Sequence, residues 1–289
     1  MSGEWFSETL YKDFQQSLLV EKTLFKGRTQ FQDALIFHNS RFGHVLTLDG
    51  VVQTTELDEF CYHEMMVHVP LIAHGAAQKV LIIGGGDGGI LREVLKHPHA
   101  QPTMIELDKT IVKICREYMP TLSDGAFDNE RAAIRFMDGI KFVRSTDEKF
   151  DVIIVDSTDP IGPSEVLFTE EFYRNCARCL KERGVLVTQT GVTYMQGEEA
   201  RNTYRRMKKL FADPSLFITQ VPTYGAGYMT FGWGCQSSEP RMTPLEVIER
   251  RLKPLNLNLK YYSAAIHIAS FALPGYIEDL KKIRVPPIS

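Results

Sequence analysis

Residues 80–94, VLIIGGGDGGILREV, set Gly84, Gly86 and Gly89 in the order G-x-G-x-x-G, after an apolar run and ahead of a helical pattern. Glu106 closes the next apolar run about twenty residues on, as in a dinucleotide fingerprint with glycines for a tight turn and an acid for ribose hydroxyls. Asp87 does not fit a dinucleotide. A pyrophosphate would sit at the helix N-terminus, where backbone N–H groups favour negative charge, and a carboxylate there competes with it. No lysine or arginine lies in the loop to offset Asp87. The pattern asks for a nucleoside ligand without phosphate that brings positive charge to Asp87. An adenosyl sulfonium meets both conditions.

Two more apolar runs end in acids. Asp138-Gly139 follows the run that begins at Ala132, and a carboxylate there can accept from the exocyclic amine of adenine. Asp156 and Asp159 follow FDVIIV. In open α/β sheets the ligand crevice lies at the carboxyl ends of the strands. Any one of these acids could be a helix cap or a surface turn. Asp87, Glu106, Asp138, Asp156 and Asp159 together line a crevice that selects a cation.

The elements that must position these groups read as follows. From residue 76, short β-like runs alternate with helical stretches, which predicts an α/β fold: a Rossmann-like, doubly wound and mostly parallel sheet with right-handed crossovers. Thr169 is placed to cap a helix that runs to Gly184. Residues 1–75 read as a small β-rich unit, with a hairpin expected at Asp49-Gly50. A helix follows, expected to start at Thr55 as N-cap with Glu56, Asp58 and Glu59 in its first turns. The expected division is 1–75 and 76–289.

The 289 residues carry a net charge of −3 and a pI near 6.3, with 44% hydrophobic and 24% charged residues. That balance argues against nucleic acid as a partner. No apolar run has the length of a membrane span, the N-terminal residues lack a signal-peptide core, and an odd count of five cysteines suits a reducing compartment. The cytoplasm is the expected location. Cys176-x-x-Cys179 falls inside a predicted helix without a second pair and reads as structural. His63 and His68 are five apart, so they do not stack as a zinc-protease pair requires. His97-Pro98-His99 reads as an exposed helix end, and RNTYRRMKKLF as the solvated face of an amphipathic helix.

Taken together, GGGDGGILREVLKH, IELD, MDGIKFV, DVIIVDSTDPIGP, LDGVVQTTELDEFCYHEMMVHVPL and PTYGAGYMTFGWG resemble the spermidine synthase family of polyamine aminopropyltransferases. The resemblance runs over nearly the whole chain. It implies transfer of an aminopropyl group from decarboxylated S-adenosylmethionine to putrescine, giving spermidine and 5′-methylthioadenosine, on a β-hairpin domain joined to a methyltransferase-like Rossmann domain. It further implies that Gln32, Glu106, Asp138, Gly139 and Pro163 line the donor nucleoside and that Asp87 meets the amine of the aminopropyl arm. Asp156 is implied as proton acceptor, with Tyr62 beside the attacking amine. His63, Asp159 and Tyr224 are implied in the polyamine channel, with Gln53 and Gln189 near them. Assembly as a homodimer or homotetramer is implied as well.

The sulfonium donor is already activated, so neither a metal nor a separate cofactor is expected. An S-adenosylmethionine-dependent N-methyltransferase acting on a polyamine would use the same fold and strand-end acids. A polyamine-binding module without chemistry would be expected to have lost Asp156, Asp87 or Tyr62, and all three are present.

Overall fold

The computed structural model describes residues 3–157 and 167–282. The N-terminal part opens with a hairpin of β1 (Glu4–Ser7) and β2 (Ser17–Val20). A four-stranded antiparallel meander follows: β3 (Lys22–Arg28), β4 (Asp33–Asn39), β5 (Gly43–Leu48) and β6 (Val51–Thr55). The β5–β6 hairpin turns at Asp49-Gly50 as expected, with φ of 47° and 78° at the two residues. Those positive angles are why the turn takes this dipeptide.

Helix α1 (Phe60–His74) joins the meander to a seven-stranded sheet. Its strands are β7 (Lys79–Gly84), β8 (Gln101–Glu106), β9 (Ala133–Phe136), β10 (Phe150–Asp156), β11 (Leu180–Val192), β12 (Asp213–Thr219) and β13 (Met229–Cys235). Their order is β12-β13-β11-β10-β7-β8-β9; the five from β11 to β9 are parallel, and β13 and β12 extend the sheet antiparallel. The helices are α2 (Gly89–Leu95), α3 (Lys109–Tyr118), α4 (Pro120–Ser123), α5 (Gly139–Ser145), α6 (Glu170–Cys179), α7 (Gly197–Leu210), α8 (Leu245–Leu252), α9 (Ala264–Ser270) and α10 (Gly275–Lys281).

Period-two alternation sorts the central strands onto two faces. Val80, Ile82, Val152, Ile154, Val185 and Val187 pack with residues of α1, α2 and α8. Leu81, Ile83, Ile153, Val155 and Leu186 pack with residues of α5, α6 and α7. Both faces are covered, which is why these strands read as continuous apolar runs rather than as alternating ones. Chain order reverses between β7 and β10, and a crevice opens at such a switch point. The meander lies against α3 and α4, where Ala34, Ile36, Leu46 and Leu48 meet Ile111, Ile114, Cys115 and Leu122.

Three expectations are corrected. Helix α1 begins at Phe60, not after a Thr55 cap. Residues 56–59 form a turn instead: the Thr55 hydroxyl donates to Asp58 at 2.6 Å rather than capping, and the acids have tertiary partners, Asp58 accepting from Thr223 N–H and Glu59 from Arg92, each at 2.8 Å. Helix α6, capped by Thr169 as expected, ends at Cys179 because Leu180 already pairs with Phe150 at the start of β11. His97 is buried, with Nε2 2.9 Å from His68 Nδ1, so only the Pro98-His99 part of that helix end is exposed.

Candidate active site

A cavity of about 700 Å³ occupies the switch point, roofed by the N-terminal strands. That is the size of a pocket for a nucleoside-sized ligand. Gln32, Gln53, Tyr62, His63, Asp87, Glu106, Asp138, Gly139, Asp156, Gln189 and Tyr224 all line it. Asp159 and Pro163 lie outside the described residues.

Asp156 pairs in register with Gly84, which joins the end of β10 to the start of the glycine loop. Gly84 has φ +87°, and a Cβ there would run into the Asp156 carbonyl, so only glycine permits the approach. The loop then donates Gly85 N–H to that carbonyl at 3.1 Å. Asp156 Oδ1 accepts from the Tyr62 hydroxyl at 2.6 Å. Burial, and next the negative charge of Asp87, push the Asp156 carboxyl up to about 6, against the pull of His63 and the Tyr62 hydrogen bond. Burial, with Asp156 beside it, drives the Tyr62 phenol well above its ordinary range, so it remains a donor.

Asp87 splits its two oxygens. Oδ1 accepts Gly89 N–H at 2.8 Å, at the start of α2, and Oδ2 faces His63 Nε2 at 3.4 Å. Asp87 thus holds the start of α2 with one oxygen and faces the His63 imidazole with the other. Burial opposes the Asp87 charge, yet His63, the Gly89 N–H and Arg92 together hold its carboxyl below the usual range.

Glu106 spends one oxygen locally, Oε1 accepting Asp108 N–H at 2.8 Å. Oε2 lies toward Gly86, where a Cβ would come within 3.2 Å of it. Burial is the main reason its carboxyl is pushed up to about 7, with Asp108 N–H acting in the other direction. Asp138 caps α5 through Oδ1, which accepts Ile140 N–H at 2.8 Å. Tyr224 donates its hydroxyl to the Gln53 carbonyl, and its ring stands edge-on to Tyr62 with centroids 6.3 Å apart. Gln189 donates to the Ser157 carbonyl at 3.1 Å and accepts Gly191 N–H at 2.8 Å, which ties it to the cavity wall.

Three groups escaped the sequence reading. Glu59 stands four residues before His63 on one helical face, a spacing that could have flagged the pair, and its Oε2 lies 2.5 Å from His63 Nδ1. Arg92 donates to the same oxygen at 2.8 Å. Asp58 fixes the segment before Tyr224 by accepting both Thr223 N–H and Thr223 Oγ1, at 2.8 and 2.6 Å. These last contacts span 33 and 165 residues and leave no local signal.

His63, Asp87 and Asp156 each present one potential ligand atom within 4.8 Å of the others, a grouping that sequence spacing did not reveal. Its chemistry disfavours a metal. Metal-bound imidazole must be neutral, whereas Asp87 and Glu59 overcome burial to raise His63 to about 10.

Residues 59–243 match the spermine/spermidine synthase domain, and residues 4–56 match the spermidine synthase tetramerisation domain. The chain is 52% identical over 273 residues to polyamine aminopropyltransferase 1 of Pseudomonas aeruginosa, covering 94% of this chain and 96% of that one. It is 51% identical over 277 residues to the polyamine aminopropyltransferase of a Ruegeria species, covering 96% and 98%. A spermidine synthase crystallised with the transition-state analogue AdoDATO superposes with a TM-score of 0.90 at 37% identity, covering 96% of this chain and 94% of that chain. The Thermotoga maritima spermidine synthase gives 0.88 at 36%, with the same coverage.

Proposed function

The chain belongs to the spermine/spermidine synthase family, and on that premise we propose that it moves an aminopropyl group from decarboxylated S-adenosylmethionine to putrescine, releasing spermidine and 5′-methylthioadenosine. The observation that carries this reading is the Tyr62–Asp156 hydrogen bond of 2.6 Å beside Asp87, in a cavity at the sheet's switch point.

Glu106 accepts from the ribose hydroxyls, Asp138 and Gly139 meet the base, and Gln32 closes the nucleoside from the N-terminal side. Pro163 belongs with them. Asp87 holds the ammonium of the aminopropyl arm. Tyr62, His63, Asp159 and Tyr224 belong to the acceptor channel, where an aromatic face suits a cation.

The acceptor amine arrives as an ammonium. With a reference amine pKa of about 10.4, it lies roughly 3 units from neutral at pH 7, or about 4 kcal/mol. Asp156, ionised above about 6, can hold that ammonium and take its proton, which frees the nitrogen lone pair for the C–N bond. The nitrogen lone pair attacks the carbon next to sulfur, and the C–S pair stays on sulfur as the thioether. The amine proton goes to Asp156. Tyr62 steadies the carboxylate throughout. Alignment of the two bound reactants supplies much of the remaining acceleration. No step needs a Lewis acid, because the sulfonium is already a good leaving group.

A homodimer or homotetramer in the cytoplasm belongs to the same proposal. The match of residues 4–56 to a tetramerisation domain supports the assembly, and among the described residues no helix is long and apolar enough to cross a membrane. Mass spectrometry of products from the purified enzyme, decarboxylated S-adenosylmethionine and putrescine tests the reaction. Spermidine and methylthioadenosine in equal amounts are expected. Methylated amines formed from intact S-adenosylmethionine would overturn it.

A further inference from the structure

His63 stands between two carboxylates, with Nδ1 2.5 Å from Glu59 Oε2 and Nε2 3.4 Å from Asp87 Oδ2. A neutral imidazole has one N–H, so one contact would turn a lone pair toward a carboxylate; an imidazolium turns an N–H toward each. The ring is 3% exposed, so the two carboxylates are its near neighbours. Glu59 is itself anchored. The oxygen that faces His63 also accepts from Arg92 Nη2 at 2.8 Å. Arg92 donates in turn from Nε to Glu93 Oε1 at 2.8 Å and from Nη1 to the Leu122 carbonyl at 2.7 Å. Glu93 is fully buried and its other oxygen lies 2.9 Å from His68 Nε2. An unbroken row of charged groups therefore runs from the back of α2 to the cavity.

We propose that Glu59 and Arg92 are positioning residues for aminopropyl transfer: they hold His63 as a cation, and His63 fixes the orientation and charge of Asp87. The inference rests on the aminopropyl-transfer reading of the cavity, and it recasts His63. With a proton on each nitrogen the ring has no lone pair to offer an ammonium, so it reaches the substrate through Asp87. The groups that face it are Glu59 from the turn before α1, Asp87 from the glycine loop, Asp156 from β10, the edge of Tyr62 with ring centroids 5.4 Å apart, and Arg92 from α2 behind Glu59. Were His63 neutral, Asp87 and Asp156 would lose the cation between them, and each would bind a proton more readily.

Two measurements on the full-length enzyme test this. In ¹⁵N spectra, with His63 assigned by its loss in His63→Gln, both ring nitrogens of the unliganded enzyme should remain protonated well above the ordinary histidine pKa of about 6.5. A neutral tautomer there would overturn the proposal. Glu59→Gln should move the acid limb of kcat/KM up by about one pH unit, because Asp156 then titrates higher. Arg92→Met should move it the same way, and Arg92→Lys, which keeps a cation against Glu59, should restore most of it. A purely structural role would lower the yield of active enzyme and leave the limb in place, and that result would refute positioning. If Glu59→Gln does not fold, the wild-type spectrum still decides the charge of His63. Wild-type enzyme that makes no spermidine would sink the functional reading separately, whatever His63 shows.

Discussion

Replacing Glu106 by glutamine should stabilise the ligand-free protein above neutral pH while ruining its grip on the nucleoside. The Glu106 carboxyl is raised from an ordinary 4.5 to about 7, chiefly by burial. Below 4.5 the folded and unfolded chains both hold the proton, and the group is neutral toward stability. Between 4.5 and about 7 the unfolded chain has lost its proton and the folded chain has not, so stability falls as pH rises. Above about 7 the whole penalty is present. At 1.36 kcal/mol per unit the shift corresponds to at most about 3 kcal/mol, and water in the open cavity reduces it to about 1–2 kcal/mol. Glutamine keeps an oxygen for Asp108 N–H and carries no charge. Urea unfolding of wild type and Glu106→Gln, at equal protein concentration and at a series of pH values, reads the difference. The mutant's advantage should be absent near pH 4.5, grow through the window and level off above about 7. Adding methylthioadenosine should reverse the ranking, because only the carboxylate accepts from both ribose hydroxyls. A mutant less stable than wild type at high pH, or a pH-independent difference, would refute the assignment of Glu106 as a strained, ligand-binding carboxylate.

Asp87→Asn retains an acceptor for Gly89 N–H but sets an amide or an uncharged oxygen against His63. Calorimetric titrations should show weaker binding of decarboxylated S-adenosylmethionine and a narrower margin over intact S-adenosylmethionine, whose carboxylate Asp87 repels; equal shifts for the two donors would leave the charge of Asp87 without a role. Tyr62→Phe removes the donor 2.6 Å from Asp156, so Asp156 should titrate about one unit higher, and a pH profile of kcat/KM should show its acid limb move up. Treatment with EDTA should leave turnover unchanged, because the sulfonium donor is already activated; activity lost to the chelator and restored by a divalent ion would contradict that.

The parts of this protein legible in its sequence are those with a local cause. The glycine loop announces itself because Gly84 must let the Asp156 carbonyl approach, and the strand-end acids because parallel strands deliver them to one edge. The hairpin at Asp49-Gly50 follows from the positive φ of both residues. What escaped depends on distant partners. Asp58 and Glu59 look like first-turn acids, but Thr223 and Arg92 claim them and delay the helix to Phe60. Gly184 looks like a helix stop, but Leu180 has already joined the sheet. His97 looks exposed until His68 is seen beside it. The charge state of His63 belongs to the same class. Its Glu59 partner was within reach of helical spacing, whereas Asp87 arrives from a separate loop.

Whether Asp156 takes the proton of the attacking amine is decided by single-turnover formation of spermidine by Asp156→Asn across pH. Asparagine keeps the shape and an acceptor for Tyr62 but has no basic lone pair. Wild type should show an acid limb near 6, and the mutant a rate lower by about 10²-fold or more with that limb gone, while methylthioadenosine still binds. A mutant that forms spermidine at near wild-type rate, with the limb still near 6, would contradict proton transfer to Asp156.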